Sequence, residues 1–262
     1  MKETKKLLFV IERDLRTFLQ FKVLIIMRTI WFAAQVAFFG LIASRMVVPE
    51  LSDIYFEYYI AGVVVMMLYS TSVFIGYDIF EEAEHGVFEY LLSLPVSRKE
   101  LVVGRSIGGG IRSFMFVAPI MAITLYIIGL VNPINLLIAF SALFLFAFGV
   151  SGMSITIAVS LKSGDKFDIL MGVVNALIVR LSTTMYPQTF VQQASLTYAK
   201  ISEFNPVTFA SDLFRWGTGI ERYLTLSPMP LMAIIGLTIF FFTFTLIGVT
   251  IYERRLEGGG WQ

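Results

Sequence analysis

The longest uncharged stretch of the chain lies between Arg112 and Lys162 and reads SFMFVAPIMAITLYIIGLVNPINLLIAFSALFLFAFGVSGMSITIAVSL over residues 113–161. As a single helix, these 49 residues would be about 73 Å long, more than twice the roughly 30 Å core of a bilayer. Asn132, Pro133 and Asn135 supply turn chemistry near its middle, because proline lacks a backbone donor and asparagine tolerates turn geometry. The stretch therefore predicts two membrane-spanning helices joined by a tight turn.

The composition of the whole chain points to the same class of protein. Of its 262 residues, 57% are hydrophobic, whereas hydrophobic residues make up just under half of a soluble domain. Charged residues make up 15% of the chain, compared with about a quarter of a soluble domain. The charge-free stretches predict an all-α membrane protein with a single transmembrane domain over residues 1–262. Its six spans are expected at about residues 23–44, 58–77, 107–130, 136–161, 169–186 and 231–252.

Residue usage excludes several kinds of chemistry. The chain has no cysteine, which excludes a disulfide framework, thiolate metal sites and a cysteine nucleophile. Its single histidine, His85, argues against histidine-based metal or catalytic sites, so no catalytic, metal or cofactor residue is assigned. The expected spans carry no carboxylate away from their ends, which argues against a proton relay. Nucleic acid binding has no support in the sequence.

The distribution of lysine and arginine predicts how the spans are oriented. Fifteen of the twenty basic residues fall in segments on one side of the membrane, four fall on the other side, and Arg180 lies within a span. Because basic residues are in excess on the cytoplasmic side, both termini are expected in the cytoplasm. An even number of spans is consistent with that arrangement.

The amino-terminal segment predicts an amphipathic helix over about residues 4–21. Its apolar stripe includes Leu8, Ile11 and Leu15, whereas Arg16 lies on the polar face. A helix of this kind lies along the membrane surface with its stripe in the lipid, so it is assigned as an interfacial helix. The alternative is a merely basic leader to the first span.

The most charged stretch of the chain, from Asp78 to Arg112, follows the second expected span. A helix is predicted over residues 84–94, Pro95 is expected to end it, and Ser97 with Glu100 forms a capping box for the next helix. The two helices then meet at a rigid corner that exposes apolar side chains of the first one: Phe88, Leu91 and Leu92. Such a corner suits a groove of another protein, although physics alone favours a solvated loop equally.

Short outer-face helices are expected in the mixed segment before the last span, residues 187–228. Asn205 is a plausible cap for a helix that begins at Pro206 and stops at Gly217 or Gly219. This helix divides into apolar residues and a polar stripe, which predicts a position at an interface. The polar stripe consists of Thr208, Ser211, Asp212 and Arg215.

Arg180, with Asn175 a turn and a half before it, is the one polar feature deep within an expected span. These two residues are assigned to a possible substrate path or dimer seam, where Arg180 could meet an anionic substrate or a partner subunit. The alternative is that Arg180 extends to the outer headgroups or pairs inside the bundle.

Two motifs carry a resemblance to a known family. Residues 84–105 follow the pattern Glu-x-Gly-x-x-Glu-x-Leu-Leu-x-x-Pro-Val-Ser-Arg-x-Glu-Leu-x-x-Gly-Arg, and residues 205–215 read Asn-Pro-Val-Thr-Phe-Ala-Ser-Asp-Leu-Phe-Arg. Both resemble segments of the type-2 exporter permeases of ATP-binding-cassette (ABC) transporters. Six spans, an amphipathic leader and cytoplasmic termini also fit that family.

The resemblance implies a permease of the cell's inner or plasma membrane, surrounded by lipid. It would pair with a second permease copy or paralogue and recruit an ABC ATPase subunit that holds ATP and Mg²⁺. It would move a substrate outward by alternating access. The chain itself has no phosphate-binding loop with a lysine, so it is not expected to be an enzyme. The alternatives are an ATP-independent secondary carrier or channel, and a membrane scaffold that transports nothing.

The resemblance also implies that the cytoplasmic corner couples the permease to the ATPase. The residues assigned to this coupling helix and its turn are Glu84, Phe88, Glu89, Leu91, Leu92, Pro95, Val96, Ser97 and Arg98.

Overall fold

The computed structural model describes residues 3–19, 22–46, 49–129, 132–221 and 224–256, and within them the chain is helical with no strand. The helices are α1 (Glu3–Leu19), α2 (Lys22–Gln35), a π-helical segment (Val36–Gly40), α3 (Leu41–Met46), α4 (Pro49–Glu84), α5 (Val87–Ser93), α6 (Arg98–Ile128), α7 (Pro133–Leu161), α8 (Gly164–Arg180), α9 (Gln188–Ala194), α10 (Leu196–Glu203), α11 (Pro206–Gly217) and α12 (Leu231–Leu256).

Four helices of the described chain are long and apolar enough to cross a membrane. They comprise residues Ile54–Glu84, Arg98–Ile128, Pro133–Leu161 and Leu231–Ile251. These helices correspond to the second, third, fourth and sixth expected spans, apart from residue 130, which lies outside the described residues. The chain is therefore a multi-pass membrane protein with an all-helical fold.

The first and fifth expected spans fall on shorter helices. The first corresponds to α2, the π-helical segment and α3, which follow one another over residues 22–46 without a gap. The fifth falls on α8, which has 17 residues and ends at Arg180. The expectation that this helix continues to Tyr186 was wrong, because the backbone after Arg180 leaves the helix and turns the carbonyls of Thr183 and Thr184 toward a buried arginine.

The helix α7 lies at the centre of the bundle and packs against α4, α6, α11 and α12. Glycines permit the closest of these approaches. A Cβ atom added at Gly110 of α6 would lie 2.0 Å from the ring of Phe148, and one at Gly149 of α7 would lie 2.7 Å from the ring of Phe240. The absence of a side chain at these glycines therefore lets α6, α7 and α12 pack closely.

The turns place the connections at two opposite ends of the bundle. The end that carries α1, α5 and the turn between α7 and α8 is called the α5 end here, and the end that carries α9, α10 and α11 is called the α11 end. At the α11 end, Asn132 accepts hydrogen bonds from the backbone of Ile134 at 2.9 Å and Asn135 at 3.4 Å, while Pro133 begins α7. The helix break expected at Asn132 and Pro133 is confirmed, while residues 130 and 131 lie outside the described chain.

The amino-terminal helix packs against α6 along one edge of its apolar stripe. Val10 is buried, Ile11 and Leu15 are half-buried, and Leu8 remains 58% exposed. Arg16 is exposed and donates a hydrogen bond to Glu12 at 2.6 Å. The helix spans residues 3–19, whereas about 4–21 was expected, and residues 20 and 21 lie outside the described chain. Its position at a membrane surface stays a prediction.

Candidate coupling surface

The corner at the α5 end consists of three helices that meet at two breaks. Gly86 separates α4 from α5 and has a φ of 69°, a left-handed conformation that costs little without a Cβ atom. The single helix expected over residues 84–94 is therefore interrupted at this glycine. The second break contains Pro95, after which α6 begins at Arg98.

The capping box expected at the start of α6 is confirmed. The backbone N–H of Glu100 donates to Ser97 Oγ at 3.2 Å, and the backbone N–H of Ser97 donates to Glu100 Oε2 at 2.7 Å. These two bonds satisfy donors that the first turn of a helix leaves without partners. The corner is thus fixed by local chemistry at the point where α5 gives way to α6.

The helix α5 presents a different face from the one expected. Leu91 is only 4% exposed, and Leu92 and Val96 are half-buried against the core, so the expectation that both leucines are exposed was wrong. The physical reason is that their apolar face anchors α5 to the bundle rather than projecting from it. Of Phe88, only the backbone is described, and it lies within α5.

The exposed side of the corner is formed by other residues. Tyr90 is 63% exposed, and Glu84, Glu89, Pro95 and Ser97 are exposed as well, while Arg98 is half-buried. Tyr90 is not among the residues assigned to the coupling helix from the sequence, although the rule that the apolar face of a helix turns inward places it on the outer face. The face available to a partner is therefore polar and aromatic rather than leucine-rich.

A network of charged side chains lies beneath this corner. Glu82 near the end of α4 accepts from Arg13 of α1 and, at 2.5 Å, from Arg105 of α6, while Asp78 accepts from Arg112. A cavity of about 410 Å³ opens beside them, and its wall includes most of these groups. Spacing along each helix does not predict this pairing, because which faces of α1, α4 and α6 meet is decided by packing between helices.

Asp14 of α1 is also buried in this network, with 6% of its surface exposed. Burial raises the pKa of its carboxyl group above the usual 3.8, and the neighbouring Arg105 and Arg13 guanidinium groups act in the opposite direction. Its Oδ2 atom has no hydrogen-bond partner among the described residues. The buried side of α1 thus contains a carboxyl group that the periodicity of the sequence does not predict.

A second buried charge cluster lies at the α11 end, in the segment of the second motif. Asn205 caps α11 by accepting from the backbone of Val207 at 2.9 Å, and Pro206 is the first helical residue, as expected. The helix ends at Gly217, one of the two expected stops. The polar stripe of α11 does not lie at an interface, however, because its four residues are all completely buried: Thr208, Ser211, Asp212 and Arg215.

The hydrogen bonds of Arg215 account for the burial of this polar stripe. Its guanidinium group donates to the backbone carbonyls of Tyr58 at 3.2 Å, Thr183 at 3.2 Å and Thr184 at 2.7 Å, and it lies 3.4 Å from the centre of the Tyr58 ring. It also donates to Asp212 at 3.4 Å. This arginine therefore ties α11 to the beginning of α4 and to the non-helical segment after α8.

Asp212 extends the same cluster toward the last span. Its Oδ2 atom accepts from the backbone N–H groups of Thr225 at 2.6 Å and Leu226 at 3.1 Å. Hydrogen bonds and an opposite charge are what a buried carboxylate needs to be tolerated. The pair Asp212 and Arg215 thus organises most of the connections at the α11 end.

The residues assigned to a substrate path lie together in the wall of one cavity. Asn175 and Arg180 line a space of about 430 Å³ between α2, α4 and α8, together with Trp31, Gln35, Met66, Met67, Ser70, Gly172, Ala176, Val179 and Met185. Both side chains are exposed in the single chain. This wall contains one positive charge and no carboxylate.

The fold and these sites define a helical membrane protein that presents an anchored helix at one end of the bundle. The model of the ABC-2 type transporter family matches residues 5–218, and the chain belongs to this family. Membership makes it a transmembrane subunit of an ABC transporter. Subunits of this kind are typically not enzymes, and the family in general acts with an ABC ATPase. No curated protein matches the chain.

Proposed function

We propose that the chain is the permease subunit of an exporter that moves its substrate out of the cytoplasm by alternating access. A separate ABC ATPase subunit, which holds ATP and Mg²⁺, supplies the energy. The permease works as a dimer with a second copy or a paralogue. The whole of residues 1–262 acts as one transmembrane domain in the inner or plasma membrane.

Six spans with both termini in the cytoplasm are part of this proposal. The four long apolar helices account for four spans, the helices over residues 22–46 supply the first, and α8 supplies the fifth. The connections support this count, since they alternate between the α5 end and the α11 end. The basic residues support the orientation, because Arg13, Arg105, Arg112 and Lys162 all lie at the α5 end, which is then cytoplasmic.

The observation that carries the proposal is the way in which α5 is presented. The helix is held from inside by Leu91, is set off by Gly86 and Pro95, and leaves Glu89 and Tyr90 exposed. A short helix with a buried anchor and a free outer face suits a groove of a partner protein. The partner proposed for this face is the ATPase, with the amphipathic α1 bracing it from the side.

Movement of the ATPase would reach the spans through this corner. When the ATPase closes on ATP, it displaces α5, and the capping box at Ser97 and Glu100 keeps the start of α6 rigid under that displacement. The helices α4 and α6 are continuous with the corner and extend across the membrane. The displacement is therefore passed to the second and third spans rather than lost in a flexible loop.

The substrate path is assigned to the cavity that contains Asn175 and Arg180. Its mixture of Met, Trp and polar side chains suits an amphiphilic substrate. The neighbouring faces of α2 and α8 carry large exposed apolar residues, which a second permease copy or lipid would cover: Ile26, Met27, Ile30, Ile169, Val173 and Leu177. The cavity then lies beside the seam between the two copies.

The proposal is tested by expressing the tagged permease in its native host and identifying the ABC ATPase that co-purifies with it. The tagged permease should retain that ATPase, and Tyr90→Asp should lose it, because a charge would enter the centre of the docking face. Tyr186→Asp is the matched control, since Tyr186 is also exposed but lies at the α11 end. Retention of the ATPase by Tyr90→Asp at the level of the control would contradict the proposed docking face.

A further inference from the structure

One carboxylate at the α5 end bonds arginines from two neighbouring helices. Glu82, near the end of α4, accepts a hydrogen bond from Arg13 of α1 at Oε1 and one from Arg105 of α6 at Oε2, the latter at 2.5 Å. Glu82 precedes the start of α5 by about one helical turn, and Arg105 follows the start of α6 by about two. The pair therefore closes the base of the corner that carries the coupling helix.

We propose that Glu82 is a positioning residue that fastens α1 to this corner, so that α1, α5 and the adjoining ends of α4 and α6 move as one rigid unit. The inference rests on the function proposed above, because it identifies which parts of the chain follow a displacement of α5. The amino-terminal helix is then a moving part of the coupling machinery rather than a passive membrane anchor.

The burial of the three side chains supports this role. Exposed fractions are 1% for Arg105, 16% for Glu82 and 24% for Arg13. Little water competes with these pairs, so removing one partner leaves a poorly solvated charge. The pair of Arg16 and Glu12 on the same helix is 77% and 59% exposed, and such surface pairs contribute little.

The backbone contact between α1 and α6 is close as well. A Cβ atom added at Gly108 would lie 3.6 Å from the Cα atom of Ile11 and 3.4 Å from the Cβ atom of Asp14. Val10 on the same side of α1 is buried. The two helices are therefore in direct contact beside the charge network, which leaves α1 little freedom to slide when Arg13 holds Glu82.

The first experiment needs no ATPase. The chain has no cysteine, and the Cβ atoms of the double variant Asp14→Cys/Gly108→Cys would be close to the usual disulfide separation of about 3.5–4.5 Å. In native membranes this variant should form its disulfide rapidly on mild oxidation, measured by blocking free thiols with maleimide-polyethylene glycol. Adding Arg13→Gln should slow the reaction about fivefold or more. Adding Glu12→Gln, which breaks only the surface pair, should leave the rate unchanged.

The second experiment asks whether the unit stays intact while the transporter works. In proteoliposomes with the ATPase, Arg13→Gln should lower ATP hydrolysis about fivefold at unchanged ATPase content, whereas Arg13→Lys should retain most of it. The rate of ATP hydrolysis by the oxidised double variant should be within about twofold of the rate of the same protein after reduction. A disulfide between two helices that already move together does not restrict their motion.

Either experiment can overturn the inference. A disulfide whose rate is indifferent to Arg13→Gln would show that Glu82 does not hold α1. Loss of hydrolysis on oxidation would show that α1 has to move against α6. If the wild-type chain fails to bind or stimulate any ATPase while the disulfide results hold, the proposed function fails and the link between the helices stands.

Discussion

Replacing Arg215 by methionine tests the structural account at its most buried charge. Methionine fills much of the same volume but donates no hydrogen bond. The substitution removes the guanidinium donors to the carbonyls of Tyr58, Thr183 and Thr184, although Thr183 keeps a hydrogen bond from the Tyr58 hydroxyl at 2.7 Å. It also leaves Asp212 buried without its positive partner. The connections among α4, α8 and α11 would lose their common centre.

The magnitude follows from the contacts. Breaking a buried ion pair by removing one partner typically costs about 3–5 kcal/mol. The carbonyl of Thr184, whose bond to Arg215 is 2.7 Å, then lacks a donor, which costs a further ~1–3 kcal/mol. Since 1 kcal/mol shifts the melting temperature of a chain of this size by about 2–4 °C, a fall of roughly 10 °C or more is expected.

The assay is thermal unfolding of the detergent-solubilised protein, followed by tryptophan fluorescence. Arg215→Lys should lie between wild type and Arg215→Met, because an ammonium group keeps the charge but reaches fewer carbonyls than the planar guanidinium. The double variant Arg215→Met/Asp212→Asn should be less destabilised than the sum of the two single changes. A melting temperature for Arg215→Met within 2–3 °C of the wild-type value, a difference that corresponds to about 1 kcal/mol, would refute the reasoning.

Three further outcomes are expected. Leu91→Ala should lower the free energy of unfolding by about 2–5 kcal/mol, because the side chain is buried, while ATPase binding by the folded fraction is kept. Gly62→Ala should destabilise strongly in the same unfolding assay, since its Cβ would lie 2.0 Å from the Thr184 carbonyl oxygen, whereas Gly172→Ala has open space and should not. Burial raises the pKa of Asp14, so its contribution to stability is present below pH 3.8 and is lost as pH rises through the raised value. The melting temperature of Asp14→Asn should therefore rise relative to that of the wild type as the pH of the assay is increased.

Features set by neighbouring residues were predictable from the sequence. The turn at Asn132 and Pro133, the capping box at Ser97 and the start of α11 at Pro206 each depend on side chains that bond their own backbone within a few residues. Such chemistry is the same whatever surrounds it. The family was also readable, because its two motifs lie largely in these turns and helix starts.

Features set by distant contacts were not predictable in the same way. The helix α8 ends at Arg180 because the carbonyls that follow it bond Arg215, which is more than thirty residues away along the chain. The polar stripe of α11 is indistinguishable by periodicity from a surface stripe. In the core, Arg215 bonds Asp212, while Thr208 and Ser211 bond the segment that follows α8. The inward position of Leu91 likewise depends on the side of α5 on which the bundle lies. Helix periodicity separates two opposite faces of α5 but does not say which of them turns inward.

The central claim is that a separate ATPase makes the cavity between α2, α4 and α8 open alternately to the two sides of the membrane. Because the chain has no cysteine, Asn175→Cys gives one thiol in the cavity wall. Labelling by a membrane-impermeant maleimide should occur from the cytoplasmic side without nucleotide, and from the outer side when the ATPase is trapped with ATP. Labelling that keeps the same sidedness in both conditions would contradict the account.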